Sequence, residues 1–540
     1  MDHYAEGGAL ADAGAEGRDD RDVIGEEVHD EGVSPSVWRY VKARRAYVVI
    51  DAADYFEVIR EVMDRARQRI FMIGWDFDSR ILLPAGRRWW QRGRKRKFPA
   101  RLGSYLLWLV KNDPRLEILL LKWNFAIVKY LFRGTMLFDL ARWAIRPRID
   151  FKFDSAHPLG CSHHQKIVVV DDVFAACGGI DMTSDRWDTP DHLPHDTRRR
   201  RPSGRLYGPW HDVTMVMEGD VAKALGELGR ERWKVAGGDE IAPCRPQEET
   251  PWPDGLQAEF ENVEIGISRT RAAYGDCPQV SEIEALFVEQ IGRARRFVYA
   301  ETQYFASRAI AEAICERLLE DDAPEFFIVN PRSADGWLEQ VAMDTARVEL
   351  VEALEQADRA GRFRIFNPIT SDGEPIYVHA KLMIVDDEIL RVGSANMNNR
   401  SMGLDSECDV FIDMARPANA GVGPAITGLR LRLLAEHCGI PEAEVAAGIE
   451  RHGSMAAMVD ALNRSSPRIG KYLEPLPLKQ LSEAERALGK SGVLDPERPG
   501  EMFEPIERRG LFRRKGQLMR MRLMKTLRRS KRDEQSGRSR

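Results

Sequence analysis

Two stretches of the chain carry the same set of reactive groups: "HHQKIVVVDDVFAACGGIDMTSDRW" from His163 to Trp187, and "HAKLMIVDDEILRVGSANMNNRS" from His379 to Ser401. In each, a histidine stands two residues before a lysine, at the head of a short apolar run that ends in Asp-Asp, the pattern of a buried strand. Side chains two apart on a strand point to one face. His164 with Lys166, and His379 with Lys381, should therefore each present an imidazole beside an ammonium. The glycines that follow, Gly178, Gly179 and Gly393, should let the backbone come close to a ligand, where Ser394 and Asn396 can donate hydrogen bonds. Together these groups suit a phosphate.

Both copies keep the offsets 0, +2, +7, +14 and +17: His164, Lys166, Asp171, Gly178 and Asp181 in the first, His379, Lys381, Asp386, Gly393 and Asn396 in the second. At roughly one in twenty per position, an accidental pair is about a hundred-thousandfold rare. Duplication explains it better, and the flanking elements agree. "RAYVVIDAADYFEVIREVMDRARQRIFMIGWDFDSRILL" (Arg45 to Leu83) reads strand, amphipathic helix, buried strand. "VSEIEALFVEQIGRARRFVYAETQYF" (Val280 to Phe305) repeats the helix, the basic break and the strand. The seam falls in the Pro-, Gly- and Glu-rich stretch from Gly237 to Gly255. The expected organisation is an acidic leader, 1–35, two halves, 36–248 and 249–470, and a C-terminal extension, 471–540. Alternating strand and helix argues for α/β layers.

Composition narrows the class. A chain of 540 residues, 43% hydrophobic, is long and apolar enough for two cores. Its seven scattered cysteines form no CxxC pair, which fits free thiols in a reducing, cytoplasmic setting better than a disulfide or zinc framework. The N-terminus is acidic and Gly/Ala-rich, so the expectation there is disorder without a secretory signal. The most apolar stretch, Leu116 to Phe132, is interrupted by Lys122 and Lys129 and falls short of a membrane span. From Ile506 to Arg540 the chain carries fourteen Lys and Arg against three Asp and Glu, a net +11; the whole is −5, so the remainder is near −16. Met519, Leu523 and Leu527 recur four apart within this tail, as in a helix lying on an anionic membrane surface.

The paired HxKx4D motifs, with "YAETQYF" and "HAKLMIVDDEILRVGSANMNNRSM" in the second half, resemble the phospholipase D superfamily in its two-motif, eukaryotic-type form, from about Arg45 to about Asp413. The resemblance implies two pseudo-symmetric α/β/α sandwich halves that bring both motifs to one cleft. It implies a catalytic set of His164, Lys166, Asp171, His379, Lys381 and Asp386, with His164 as nucleophile and His379 as the acid for the leaving alcohol. Lys166 and Lys381 would clamp the phosphate with help from Ser394, Asn396 and the glycines, while Asp171 and Asp386 would brace the site. Asp212 in "GPWHDV" and Glu407 in "DSECDV" are the carboxylates expected to orient the imidazoles. His163 breaks the motif spacing and reads as a pocket-wall or structural residue. Asp181, where the second half has Asn396, adds a negative charge near the phosphate and matches the eukaryotic-type variant, while Thr302, where related sequences have Asn, bears on substrate preference. No cofactor or metal is required.

The implied activity is hydrolysis of a glycerophospholipid to phosphatidic acid, with transfer to alcohols, on a peripherally bound, monomeric catalytic core; too few residues precede Arg45 for a PX or PH module. A cardiolipin synthase-like phosphatidyltransferase is the alternative, and a nuclease the third, since the acidic body opposes DNA binding. A non-enzymatic membrane binder would not need both motifs intact. Trp187, Tyr304 and Trp210 are candidates for a cation–π box around choline. The basic stretches Gly86 to Phe98 and Thr197 to Arg205 suit anionic lipid headgroups.

Overall fold

The computed structural model describes residues 35–88, 98–123, 135–333, 337–465, 470–478 and 496. The acidic leader, the basic tail and most of the Gly86 to Phe98 stretch lie outside the described residues.

Both halves are built on one strand plan. In the first, Arg39–Ile50 is followed by the helix Ala52–Arg65 and the strand Arg69–Gly74. The helix buries Tyr55, Phe56, Ile59, Val62 and Met63, a stripe at three- and four-residue spacing. In the second, Phe260–Arg271, the helix Glu282–Arg293 and the strand Phe297–Thr302 follow the same order. Parallel strands then extend each half outward: Glu117–Trp123 and Ile149–Asp154 in one, Glu325–Val329 and Phe363–Ile369 in the other.

The motif strands come next to them. Ile167–Val170 pairs antiparallel with Arg69–Gly74 and with Phe174–Gly178, and Lys381–Val385 pairs antiparallel with Phe297–Thr302 and with Ile389–Gly393. Each motif hairpin turns on its Asp-Asp pair: Asp171, Asp172, Asp386 and Asp387 have φ of 55°, 55°, 56° and 60°. Positive φ at both central residues gives the turn the hand that fits strand twist, and aspartate tolerates it better than bulkier residues do.

The sheet does not stop at the seam. Arg39–Ile50 pairs antiparallel with Phe260–Arg271, Tyr40 opposite Gly266, and joins the halves into one 16-stranded sheet of described residues about a pseudo-two-fold. Successive side chains alternate between its faces. In the first half Ile70, Met72, Val168 and Val170 pack under helices on one face, while Phe71, Ile73, Ile167 and Val169 join a core on the other. In the second half Val298, Ala300, Met383 and Val385 do the first, and Tyr299, Phe327, Leu382 and Ile384 the second. The second of these cores runs unbroken through both halves, where two separate cores had been expected. The strand Tyr472–Pro475 pairs with Phe363–Ile369, past the expected boundary at 470. Among the described residues no helix is long and apolar enough to cross a membrane.

Candidate active site

The two motifs meet where each half lends backbone to the other. Tyr377–Val378, just before His379, pairs in parallel with Trp210–His211 of the first half, and the His379 N–H donates to the His211 carbonyl at 2.8 Å. In the mirrored place His163 bridges to Ser406, and the His164 N–H donates to the Ser406 carbonyl at 2.9 Å. His211 and Ser406 immediately precede Asp212 and Glu407, so this pairing carries each carboxylate across the interface. His164 Nδ1 lies 2.9 and 3.0 Å from the two Glu407 oxygens, and His379 Nδ1 lies 2.7 Å from Asp212 Oδ2. Each imidazole is thus oriented by the opposite half, and Nδ1 is engaged while Nε2 is left to react.

Lys166 Nζ donates to the His164 carbonyl at 2.9 Å and lies 3.5 Å from Asp181 Oδ2. Lys381 Nζ donates to Gln303 Oε1 at 3.2 Å and to the His379 carbonyl. It is also 3.1 Å from His379 Nδ1, whose proton the closer Asp212 carboxylate takes. Burial, and then the lysine ammoniums, holds both imidazoles well below the usual histidine range. Burial likewise pushes the Glu407 carboxyl up to about 8 and that of Asp212 to about 6, and brings Lys381 down to about 7. A buried His–carboxyl pair of this kind titrates as a unit, sharing its proton along the short contact.

Several expectations need correction. Ser394 does not offer its proton to a substrate: its hydroxyl accepts from Cys408 N at 3.0 Å and donates to Glu407 Oε2 at 2.5 Å. Ser401, unnoticed in the sequence, accepts from Asn396 N at 3.1 Å and donates to Glu407 Oε1 at 2.7 Å. The glycines make room for the protein's own groups, not for a ligand. A Cβ on Gly179 would stand 1.9 Å from Asp212 Oδ1, one on Gly393 1.9 Å from Asp409 Oδ1, and one on Gly178 2.4 Å from Thr214 Cα.

Asp171 and Asp386 sit at the far ends of the motif strands. Asp171 accepts the N–H groups of Arg67, Gln68 and Arg69, each at 2.7 Å, and Asp386 those of Arg295, Arg296 and Phe297 at 2.7–2.8 Å. They lock the start of the neighbouring strand and touch no reacting group. Asn396 stays in the site, its Nδ2 3.5 Å from Gln303 Oε1 and its buried Oδ1 without a partner. His163 is fully buried against Ser406 and Asp154, with burial lowering it to about 3.

The aromatic candidates are engaged by the protein's own groups, and Trp210 lies against His379 itself, 5.2 Å between ring centroids. Arg186 covers Trp210 at 4.3 Å while Tyr377 stacks on Trp210 at 4.6 Å, Arg198 lies over Trp187 at 5.1 Å, and Tyr304 packs with Ala306 and Met343. The basic Thr197 to Arg205 stretch is largely paired: Arg198 with Asp196, Arg199 with Asp188 and Arg201 with Asp185. Sequence reasoning passed over three neighbours of the histidines. Trp75 stands edge-on to His164 at 6.3 Å and stacks on Trp123. Gln303 ties Lys381 to Tyr377 Oη at 3.0 Å. The Arg186 charge bears on both His379 and Asp212.

The family described as "Phospholipase D" matches residues 367–481, and "Cardiolipin synthase, PLD-like domain" matches 287–420. Together the two matches, over residues 287–481, support membership of the phospholipase D superfamily. The chain is 25% identical to phospholipase D alpha 1 of Arabidopsis thaliana and to phospholipase D alpha 2 of Brassica oleracea var. capitata; each match covers 52% of this chain and 49% of the relative. The chain thus spans about half the length of the curated relatives it matches. A crystal structure of phosphatidylserine synthase from Haemophilus influenzae Rd KW20 aligns over 74% of this chain and 88% of its own at 12% identity, with a TM-score of 0.48. The reaction class of the superfamily is phosphodiester cleavage and transfer.

Proposed function

We propose that the protein is a phospholipase D, cleaving the distal phosphodiester of a glycerophospholipid to phosphatidic acid through a covalent phosphohistidine. The exchange of orienting carboxylates between the halves carries this reading. It leaves two imidazoles with free Nε2 atoms beside two lysines, which is what in-line displacement at a phosphodiester needs. His164 is assigned as nucleophile because its side chain is 14% exposed against 5% for His379. As the His164 Nε2–P bond forms, the P–O bond to the headgroup breaks and His379 delivers its proton to the leaving oxygen. Water or an alcohol then returns a proton to His379 as its oxygen displaces His164 from phosphorus. Lys166 and Lys381 hold the non-bridging oxygens, and Asn396 faces the same space.

The match of residues 287–420 to the cardiolipin synthase description supports a second reading, phosphatidyl transfer to phosphatidylglycerol. One experiment separates the two. The protein is incubated with mixed phospholipid vesicles and a short primary alcohol, beside His164→Ala and His379→Ala, and the lipids are identified by mass spectrometry. Phosphatidic acid and phosphatidyl-alcohol, absent with both variants, are expected. Cardiolipin as the main product would favour the second reading, and no phosphatidyl product at all would sink both.

A further inference from the structure

Behind the His379 arm lies a second polar cluster that the reaction does not use. It gathers Asp51, His192, His211 and Glu436 from four separate segments, and ligand-capable atoms of all four lie within 4.8 Å of one another. His192 Nε2 is 3.0 Å from Glu436 Oε1 and 3.5 Å from Asp51 Oδ2, and His211 Nδ1 is 2.7 Å from Glu436 Oε1 and 3.3 Å from Asp51 Oδ1. Four N and O ligands around one ion at zinc-like bond lengths stand about 3.4 Å apart, so this spacing already approximates a coordination shell. Two of the atoms, Asp51 Oδ2 and His211 Nδ1, are fully buried and face into the cluster; Asp51 Oδ2 accepts no hydrogen bond, and His211 Nδ1 meets only the Glu436 and Asp51 carboxylates.

The far side of each imidazole is set for the same role. His192 Nδ1 meets Asp188 Oδ2 at 3.0 Å, and His211 Nε2 meets Glu301 Oε2 at 2.8 Å. Those carboxylates are themselves fixed, Asp188 by Arg199 and by Trp210 N at 2.9 Å, Glu301 by the Tyr299 hydroxyl at 2.6 Å. A carboxylate behind each histidine is the arrangement that fixes tautomer and ring orientation in metal sites. Two of the four residues hold backbone conformations that glycine adopts easily and other residues do not: φ is 64° at Asp51 and 44° at His192. An open groove of about 690 Å³, with Asp54, Asp191 and Glu442 in its wall, reaches His192 and Glu436 and gives a cation a way in.

From this geometry we propose that Asp51, His192, His211 and Glu436 bind one divalent transition-metal ion of the zinc type. Two neutral imidazoles and two carboxylates neutralise such an ion and supply the borderline ligands it prefers. Without it the same carboxylates keep protons on the imidazoles: burial lowers His192, yet Asp51, Asp188 and Glu436 together push it up to about 9. The ion displaces those protons on binding. Its effect reaches the active site through the backbone. Asp51 N donates to the Asp212 carbonyl at 2.8 Å, Asp212 N donates to Asp51 Oδ1 at 3.1 Å, and the His211 carbonyl holds His379 N at 2.8 Å. The ion therefore stiffens the segment that aims Asp212 at His379, without touching substrate.

The test uses the full chain, stripped with chelator, reloaded with one equivalent of zinc or cobalt and dialysed. About one zinc per chain by elemental analysis, visible absorption of tetrahedral cobalt, and a higher thermal midpoint with zinc than with chelator are expected. His192→Gln and Glu436→Gln should lose the cobalt spectrum, and His164→Ala should keep it. Under a tenth of an equivalent in folded wild type, with no cobalt bands, would show a network held by protons alone and overturn the proposal. So would full retention in His192→Gln. Because wild-type stoichiometry decides, the outcome stands even where a variant fails to fold.

Discussion

Glu407→Gln is nearly isosteric, yet it should disable the chemistry. Glu407 is fully buried and receives three groups: His164 Nδ1 at 2.9 and 3.0 Å from its two oxygens, the Ser394 hydroxyl at 2.5 Å and the Ser401 hydroxyl at 2.7 Å. Because Nδ1 is almost equidistant from both oxygens, an amide cannot offer its oxygen to the ring without bringing its NH2 equally close. That NH2 donates to Nδ1 and moves the ring proton to Nε2, the atom that must attack phosphorus. In serine proteases the corresponding loss of the right tautomer costs about 10,000-fold in kcat. A fall of about 1,000- to 10,000-fold is expected here, about 4–5.5 kcal/mol in the barrier. The fold should lose only about 1–3 kcal/mol, from one imperfectly satisfied buried group. Turnover of phospholipid vesicles measured beside a urea unfolding curve checks both numbers. A folded Glu407→Gln enzyme with more than a tenth of wild-type kcat would refute the orienting role.

Further outcomes follow from the same contacts. Ser394→Ala removes one hydroxyl donor to Glu407 and should lower kcat about 10- to 100-fold with KM little changed, whereas a phosphate-binding serine would raise KM. Asp386→Ala strips three backbone N–H groups of their acceptor and should cost about 2–4 kcal/mol of stability by chemical denaturation, with kcat per folded molecule near wild type. The pH profile of kcat/KM should be bell-shaped with limbs near 6 and 8. Below about 6 both His–carboxyl pairs are protonated and above about 8 neither is, so the site carries a single proton only between these limits; the reactive arrangement holds that proton on the Asp212–His379 pair and leaves His164 its lone pair. Lys381, at about 7, weakens the phosphate clamp on the alkaline side as well. A flat profile from 5 to 9 under conditions where chemistry limits the rate would contradict this.

Much of the plan was legible because its signals are local. The β-branched runs, the Asp-Asp turns and the two-residue step from His to Lys are properties of neighbouring residues, and duplication made them stand out from chance. Asp212 and Glu407 were legible as identities but not as partners, since nothing in a linear sequence says that Trp210–His211 pairs with Tyr377–Val378 and carries Asp212 over to His379. The glycines misled because close approach by a ligand and close approach by Asp212 or Asp409 leave the same residue type behind. Ser394 misled because a hydroxyl's direction is set by what it accepts, here Cys408 N. Trp75, Arg186 and Gln303 belong to no periodic pattern, and they converge on the site only in three dimensions. The Asp51 cluster was invisible for the same reason: its four residues are scattered between positions 51 and 436 with no ligand spacing to betray them.

The most direct test of the central claim is to trap the intermediate. His379→Asn should still let His164 attack a substrate with a good leaving group, but should hydrolyse the product slowly. Wild type and this variant are quenched at alkaline pH during turnover, and their peptides are mapped by mass spectrometry. A phosphatidyl mass added to the peptide bearing His164 in His379→Asn, and absent from His164→Ala, is the expected result. Turnover with no adduct on either histidine would contradict a covalent mechanism, and an adduct on His379 in the wild type would reverse the assigned roles.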